Sequence, residues 1–210
     1  MWLAVAVAAA AVVTGLLALH PWLSGPATRP ANATSLASYV SQSLGGGWEM
    51  LGNMSLTITP DPANGTFKLV YINGTSEVEK ISPEMSSSLQ LLGSGGQPNG
   101  GYPLWIEVYT FILKEGNTTY VTQVEVFRAA NSTQAGWTLN AVEQRYQERA
   151  NVTDGLSYVV IQQEVPFYNV AETVLVGVYK GDYLIVILSD YPSAPHQIVG
   201  LAEGLGRMLS

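Results

Sequence analysis

The chain has 210 residues, nine Lys plus Arg against sixteen Asp plus Glu, a net charge of -7 and no cysteine. That length leaves room for one well-buried domain behind a leader. The acidic balance, with no run of basic residues, excludes nucleic acid as a partner, and the lack of thiols excludes disulfides and thiolate metal sites. Charged residues are only 12% of the chain and apolar ones 47%, where soluble domains carry roughly 25% charge. A coat of sugar would supply the missing hydrophilic surface.

The first element is Trp2 to Leu19, WLAVAVAAAAVVTGLLAL, unbroken by charge. At about 1.5 Å per residue it crosses roughly 27 Å of hydrocarbon. His20-Pro21-Trp22 stops that helix with an interfacial aromatic, and a Pro/Gly/Thr-rich linker follows. Residues 1–20 are therefore expected to be a membrane anchor, or else a signal segment that is removed. Residues 21–34 are the linker and residues 35–210 one extracytoplasmic domain. The absence of a basic n-region and of a good small-x-small site favours the uncleaved anchor.

Leu36, Tyr39, Val40 and Leu44 recur at helical spacing and predict a helix over residues 34–44, ended by Gly45-Gly46-Gly47. Met54–Thr59 and Thr66–Ile72 alternate apolar and polar residues across the turn sequence Pro60 to Gly65, which predicts a hairpin. Ser82-Pro83 is a good start for a short helix through Leu92, with a loop over Gly93 to Pro103. Leu104–Leu113 and Thr118–Ala129 predict a second hairpin. Asn131 to Thr133 can cap a helix whose stripe is Ala135, Leu139, Val142 and Tyr146. Leu156–Gln162, Thr173–Lys180 and Tyr183–Ser189 predict the last strands, and Ser193-Pro195 opens a final helix.

Strands joined by tight turns imply an antiparallel sheet, with helices covering one face of it. The expected fold class is thus α+β, the alternative being an all-β sandwich with peripheral helices. In element order alone this arrangement resembles the small α+β domains of the PsbP kind, and it brings no functional residue with it.

Seven of the ten asparagines stand in Asn-x-Ser/Thr triplets: Asn32, Asn53, Asn64, Asn73, Asn117, Asn131 and Asn151. With roughly 15% Ser plus Thr, chance would give about one or two such triplets. N-linked glycans outside the membrane explain the excess, and all seven fall in predicted linkers, turns or element ends. Dense sequons without disulfides fit an archaeal envelope. From Asp154 onward no sequon occurs although Asn169 is available, so residues 154–210 are the candidate face for a protein partner. The alternative is that strands and a helix there leave little room for asparagine.

Within the second hairpin, a loop with an odd number of residues would put Leu104, Ile106, Val108 and Ile112 on the same face as Tyr120, Val124 and Val126. The other face would then gather Trp105, Glu107, Tyr109, Phe111, Glu125 and Phe127, an aromatic patch holding two carboxylates. That patch is the candidate ligand, cation or docking site, unless Arg145 or Arg149 neutralises the glutamates under a covered face.

No catalytic or metal constellation emerges. Asp190, Ser193 and His196 surround a helix start, where Asp and Ser serve as caps, and no G-x-S-x-G elbow, H-E-x-x-H or EF-hand spacing occurs. The sequence calls for no cofactor. The reading that uses every strong signal is a membrane-anchored, N-glycosylated envelope protein acting by binding or assembly, as an accessory subunit of a membrane complex. The apolar first twenty residues ahead of a β-rich head resemble archaeal type IV pilins, which implies a filament subunit as an alternative. A surface hydrolase is a third.

Overall fold

In a computed structural model, residues 31–82, 102–165, 170–192 and 195–209 are described. The apolar run at residues 2–19 and the helix expected over residues 82–92 lie outside them, apart from Ser82. Among the described residues no helix is long and apolar enough to cross a membrane.

Helix α1 (Ala31–Leu44) starts three residues earlier than its periodicity predicts and is followed by the two-residue strand β1 (Glu49–Met50). Strands β2 (Leu56–Asp61), β3 (Thr66–Tyr71) and β4 (Ser76–Lys80) form a meander. Then come β5 (Trp105–Glu115), β6 (Thr118–Arg128) and helix α2 (Ser132–Tyr146). The chain closes with β7 (Asn151–Thr153), β8 (Leu156–Val165), β9 (Val170–Tyr179), β10 (Tyr183–Ser189) and helix α3 (Pro195–Met208). The domain is a mostly antiparallel β-sheet with a few helices, of α+β kind.

Two strands that the sequence reading passed over follow turn signals that were in view. Asp154 and Gly155 both have positive φ, 43° and 81°, as an Asp-Gly type I′ turn requires, and they fold β7 onto β8. Asn73-Gly74 does the same between β3 and β4.

All described strands join one sheet in the order β4-β3-β2-β5-β6-β10-β9-β8-β7, with β1 pairing beside β5. The chain builds outward from β2 to β4, returns with β5 and β6, leaves through α2 to the far edge, and works back until β10 lies against β6. Seven residue pairs, from Tyr183↔Arg128 to Ser189↔Thr122, make that seam.

Helices cover both faces of the sheet, not the single face expected. One face packs Val159, Val176, Leu184 and Val186 against Ala135, Leu139 and Val142 of α2. The other packs Leu175, Ile185 and Ile187 against Leu36, Val40 and Leu44 of α1 and Ile198, Leu201 and Leu205 of α3. A strand buried on both sides has no polar side to show, which is why β10 reads Leu184 to Leu188 as an unbroken buried apolar run.

The odd-loop register of the second hairpin is overturned. Glu115 pairs with Thr118 around the two residues Gly116 and Asn117, and Gly116 takes φ +62° at the first turn position, where a type II′ hairpin needs glycine. The even register sets Val108 opposite Glu125 and Tyr109 opposite Val124.

Helix α3 sits close to β9 because Gly206 has no side chain. A Cβ there would come within 2.5 to 2.8 Å of three atoms of the Tyr179 ring, which is 3% exposed and has no room to retreat. At Gly200 on the same helix an added Cβ meets nothing within 4 Å. Gly206→Ala is therefore expected to destabilise the domain by about 1–3 kcal/mol through overpacking, whereas Gly200→Ala gains up to about 1 kcal/mol of helix propensity. Chemical denaturation of both variants checks this, and shifts of the same sign would contradict the packing described.

Candidate functional site

Six of the sequon asparagines have described side chains, and all six are exposed. Asn53 is in the 3-10 turn Gly52–Met54, Asn64 in the β2–β3 turn, Asn73 in the β3–β4 turn and Asn117 in the β5–β6 turn; Asn131 is the N-cap of α2 and Asn151 the first residue of β7. Asn32 stands at the start of α1 and not in the linker; its side chain is outside the described residues.

In several of these the amide oxygen carries the structural duty. Asn73 Oδ1 accepts from Thr75 N at 2.9 Å and Thr75 Oγ1 at 2.6 Å. Asn131 Oδ1 accepts from Gln134 N at 3.0 Å, and Gln134 Oε1 accepts from Ala130 N at 2.6 Å, a variant of the reciprocal capping box. Both arrangements leave Nδ2, the atom that carries an N-linked sugar, clear of the fold. Asn64 Nδ2 donates to Asp61 Oδ2 at 2.7 Å, and a substituted amide still keeps one N–H for that bond.

The aromatic and acidic patch is divided by the even register. Trp105, Glu107, Tyr109 and Phe111 point to the α1/α3 face, whereas Glu125 and Phe127 point to the α2 face. On the first side, Tyr109 Oη donates to Glu107 Oε2 at 2.8 Å, and burial together with that carboxylate pushes the Tyr109 hydroxyl well above its ordinary range. Trp105 leans on Tyr183 with ring centroids 6.2 Å apart, and Arg128 lies 4.4 Å above the Tyr183 ring while pairing with Asp182 at 3.3 Å. Phe111 is fully buried.

On the second side Glu125 is fully buried, flanked in register by Val108 and Val186. Gln123 Nε2 donates to its Oε1 at 2.6 Å, but Oε2 has no hydrogen-bond partner among the described residues. Neither Glu107 nor Glu125 is neutralised by Arg145 or Arg149, so the expected neutralising pairs are absent. Desolvation instead pushes the Glu125 carboxyl from 4.5 up to about 7, partly offset by Gln123.

A further concavity opens at the end of the β6–β10 seam, on the α1/α3 face. It encloses about 450 Å³ and is lined by Tyr120, Gln162, Ala171, Thr173, Asp190, Tyr191 and Pro192. The ladder positions it: Asp190 N donates to Val121 O at 3.3 Å, and Asp190 Oδ1 accepts from Val121 N at 2.6 Å. The next residue, Tyr191, then meets Tyr120 edge-on, centroids 5.1 Å apart at 85°, and Trp48 also meets it edge-on, at 5.5 Å and 83°.

Asp190 is thus occupied in holding β6, and burial is the main cause raising its carboxyl above the usual range; the residues just before α3, where a cap would act, lie outside the described ones. His196 is exposed on the first turn of α3, and Ser193 lies outside the described residues. No group of three or more His, Cys, Asp or Glu among the described residues converges as a metal site would. Asp61 bonds Asn64, and Asp154 pairs with Arg207 at 2.8 Å.

Sequence reasoning missed the cleft because its members come from four strand ends far apart in the chain. One signal was present: Asp190-Tyr191-Pro192 follows directly on a strand with no polar face. No protein-family model matches the chain, and comparison with curated proteins and with solved structures found no match either.

The buried carboxyl sets a pH dependence. Its pKa is raised in the folded state, so the two states bind protons equally below about pH 4.5; between about 4.5 and 7 only the unfolded chain ionises, and stability falls as pH rises. The loss amounts to on the order of 3 kcal/mol at about 1.4 kcal/mol per unit and levels off above about pH 7. Glu125→Gln keeps the shape and removes the charge, and is expected to flatten that slope and to be the more stable protein at pH 8. Urea titrations at pH 4.5 and 8 read this directly; parallel behaviour of the two proteins would contradict it.

Proposed function

We propose that the protein is a membrane-tethered, N-glycosylated cell-envelope protein that works by binding or assembly, as an accessory subunit of a membrane complex. The observation that carries this reading is the placement of the sequons: every one whose side chain is described is solvent-exposed, in a turn, at a helix cap or at an edge strand. Such positions tolerate a bulky sugar because nothing packs over them. The apolar stretch from Trp2 to Leu19 supplies the tether, with the domain outside the membrane.

A binding role fits the chemistry better than hydrolysis. Cleavage of a glycosidic bond needs two carboxylates facing each other across the substrate, and Asp190 is the one carboxylate lining the cleft. The face proposed for a protein partner is residues 154–210, which carry no sequon. Strands β9 and β10 are interior to the sheet, where burial leaves little room for asparagine, whereas β7 covers β8 only over Leu156–Tyr158. That third offers a partner the outward side of α3, with Arg207 and Met208 exposed, and the edge of β8 past Tyr158, which no described strand pairs.

Peptide mass spectrometry of the protein from its native membrane tests the reading. Sugar is expected on Asn64, Asn73, Asn117 and Asn131, with the residues 2–19 segment retained. Thr133→Ala should remove the sugar at Asn131 with little change in stability, because the cap survives, whereas Asn131→Ala should remove it and cost about 1 kcal/mol. Bare asparagines in a chain recovered from the soluble fraction would defeat the proposal.

A further inference from the structure

The cleft at the end of the β6–β10 seam is lined by a carboxylate and two neutral polar side chains, Asp190, Gln162 and Thr173. Asp190 accepts from Val121 N through Oδ1, and its carboxylate, half-buried, has no ion-pair partner among the described residues. Thr173 and the exposed Gln162, directly paired on neighbouring strands β9 and β8, add a hydroxyl and an amide to the lining. The lining contains one charged side chain and no Lys, Arg or His. A half-buried carboxylate with no counter-ion is a cost that a positively charged ligand would relieve.

The remaining walls select the kind of cation. A hard metal ion wants six or more oxygens, and this cleft offers a few oxygens beside the rings of Tyr120 and Tyr191. Aromatic rings attract a soft, weakly hydrated cation through their quadrupole, the more so beside a carboxylate and away from bulk water. The volume of about 450 Å³ is in the range of small-molecule sites and exceeds what a single metal ion fills.

We infer that this cleft is a binding site for an organic ammonium, with Asp190 as counter-ion, Tyr120 and Tyr191 as the aromatic wall, and Gln162 and Thr173 as hydrogen-bond partners for the body of the ligand. The site deepens the binding role proposed above, but it depends on neither the tether nor the sugars. Glycan analysis and ligand titration therefore fail independently. A neutral sugar is the competing occupant, since rings and hydroxyls also suit a pyranose; it leaves the Asp190 charge unmatched.

Calorimetric titration of the full-length chain in a non-ionic detergent separates these occupants, using choline, its neutral isostere 3,3-dimethyl-1-butanol, and methyl glucoside. Choline is expected to bind at least about tenfold more tightly than the isostere, the least that a partly desolvated ion pair with ring contact gives at about 1.4 kcal/mol per tenfold. Asp190→Asn keeps an oxygen for Val121 N and removes the charge, so it should erase the preference for choline without unfolding the seam. Tyr120→Leu should weaken choline by about three- to tenfold while leaving Asp190 in place. Equal affinity for choline and the isostere, preference for the glucoside, absence of choline binding, or an Asp190→Asn variant with unchanged selectivity would each overturn the inference.

Discussion

The pairing of β10 with β6 is the constraint on which the rest of the molecule hangs. Those two strands belong to different halves of the chain, and their seven residue pairs turn two smaller meanders into one sheet. Without that seam each half would present a long unpaired edge, a liability natural proteins avoid. Along its length the seam sets Val186 beside Glu125 and brings Tyr183 against Arg128. One step beyond its last pair, Asp190 is locked onto Val121 by two hydrogen bonds, and the aromatic cleft follows from that lock. The same ladder thus determines the buried carboxyl in the middle and the ligand-facing carboxyl at the end.

The two acids illustrate how position decides chemistry. Glu125 lies in the middle of the seam under α2, with apolar neighbours in register, and Gln123 satisfies half of it. Its neutral form is the one the surroundings favour. Asp190 is at the seam's end, half in water, with one oxygen bonded to Val121 N and its side chain lining a cleft. Burial raises both, but only the second is placed where a ligand can reach it.

Much of the architecture was legible in the letters. The turn chemistry around Pro60 to Gly65 and the two long β-rich segments predicted hairpins that the sheet contains, and Asn131 capped a helix as its type implies. The failure in the second hairpin has a physical cause. Period-two reading assumes one wet face, and this sheet is covered on both; Glu125 then looks like an outward residue when it is fully buried. Choosing a loop length to keep glutamates away from valines gave the wrong register, and the patch of Trp105, Glu107, Tyr109, Phe111, Glu125 and Phe127 was an artefact of that choice. The cleft was beyond reach for another reason: its members meet through strand order, which no local pattern encodes.

The outermost strands have a consequence for how copies of the molecule can meet. On one flank β4 alternates Glu77, Glu79 and Lys80 around a single exposed Val78, and its entry turn holds Asn73; on the other flank β7 begins with Asn151. Carbohydrate on those two asparagines would stand beside each lateral margin, while β8 past Tyr158 has no outer strand partner among the described residues. Backbone-to-backbone zipping between two copies would then be left to that one stretch of β8.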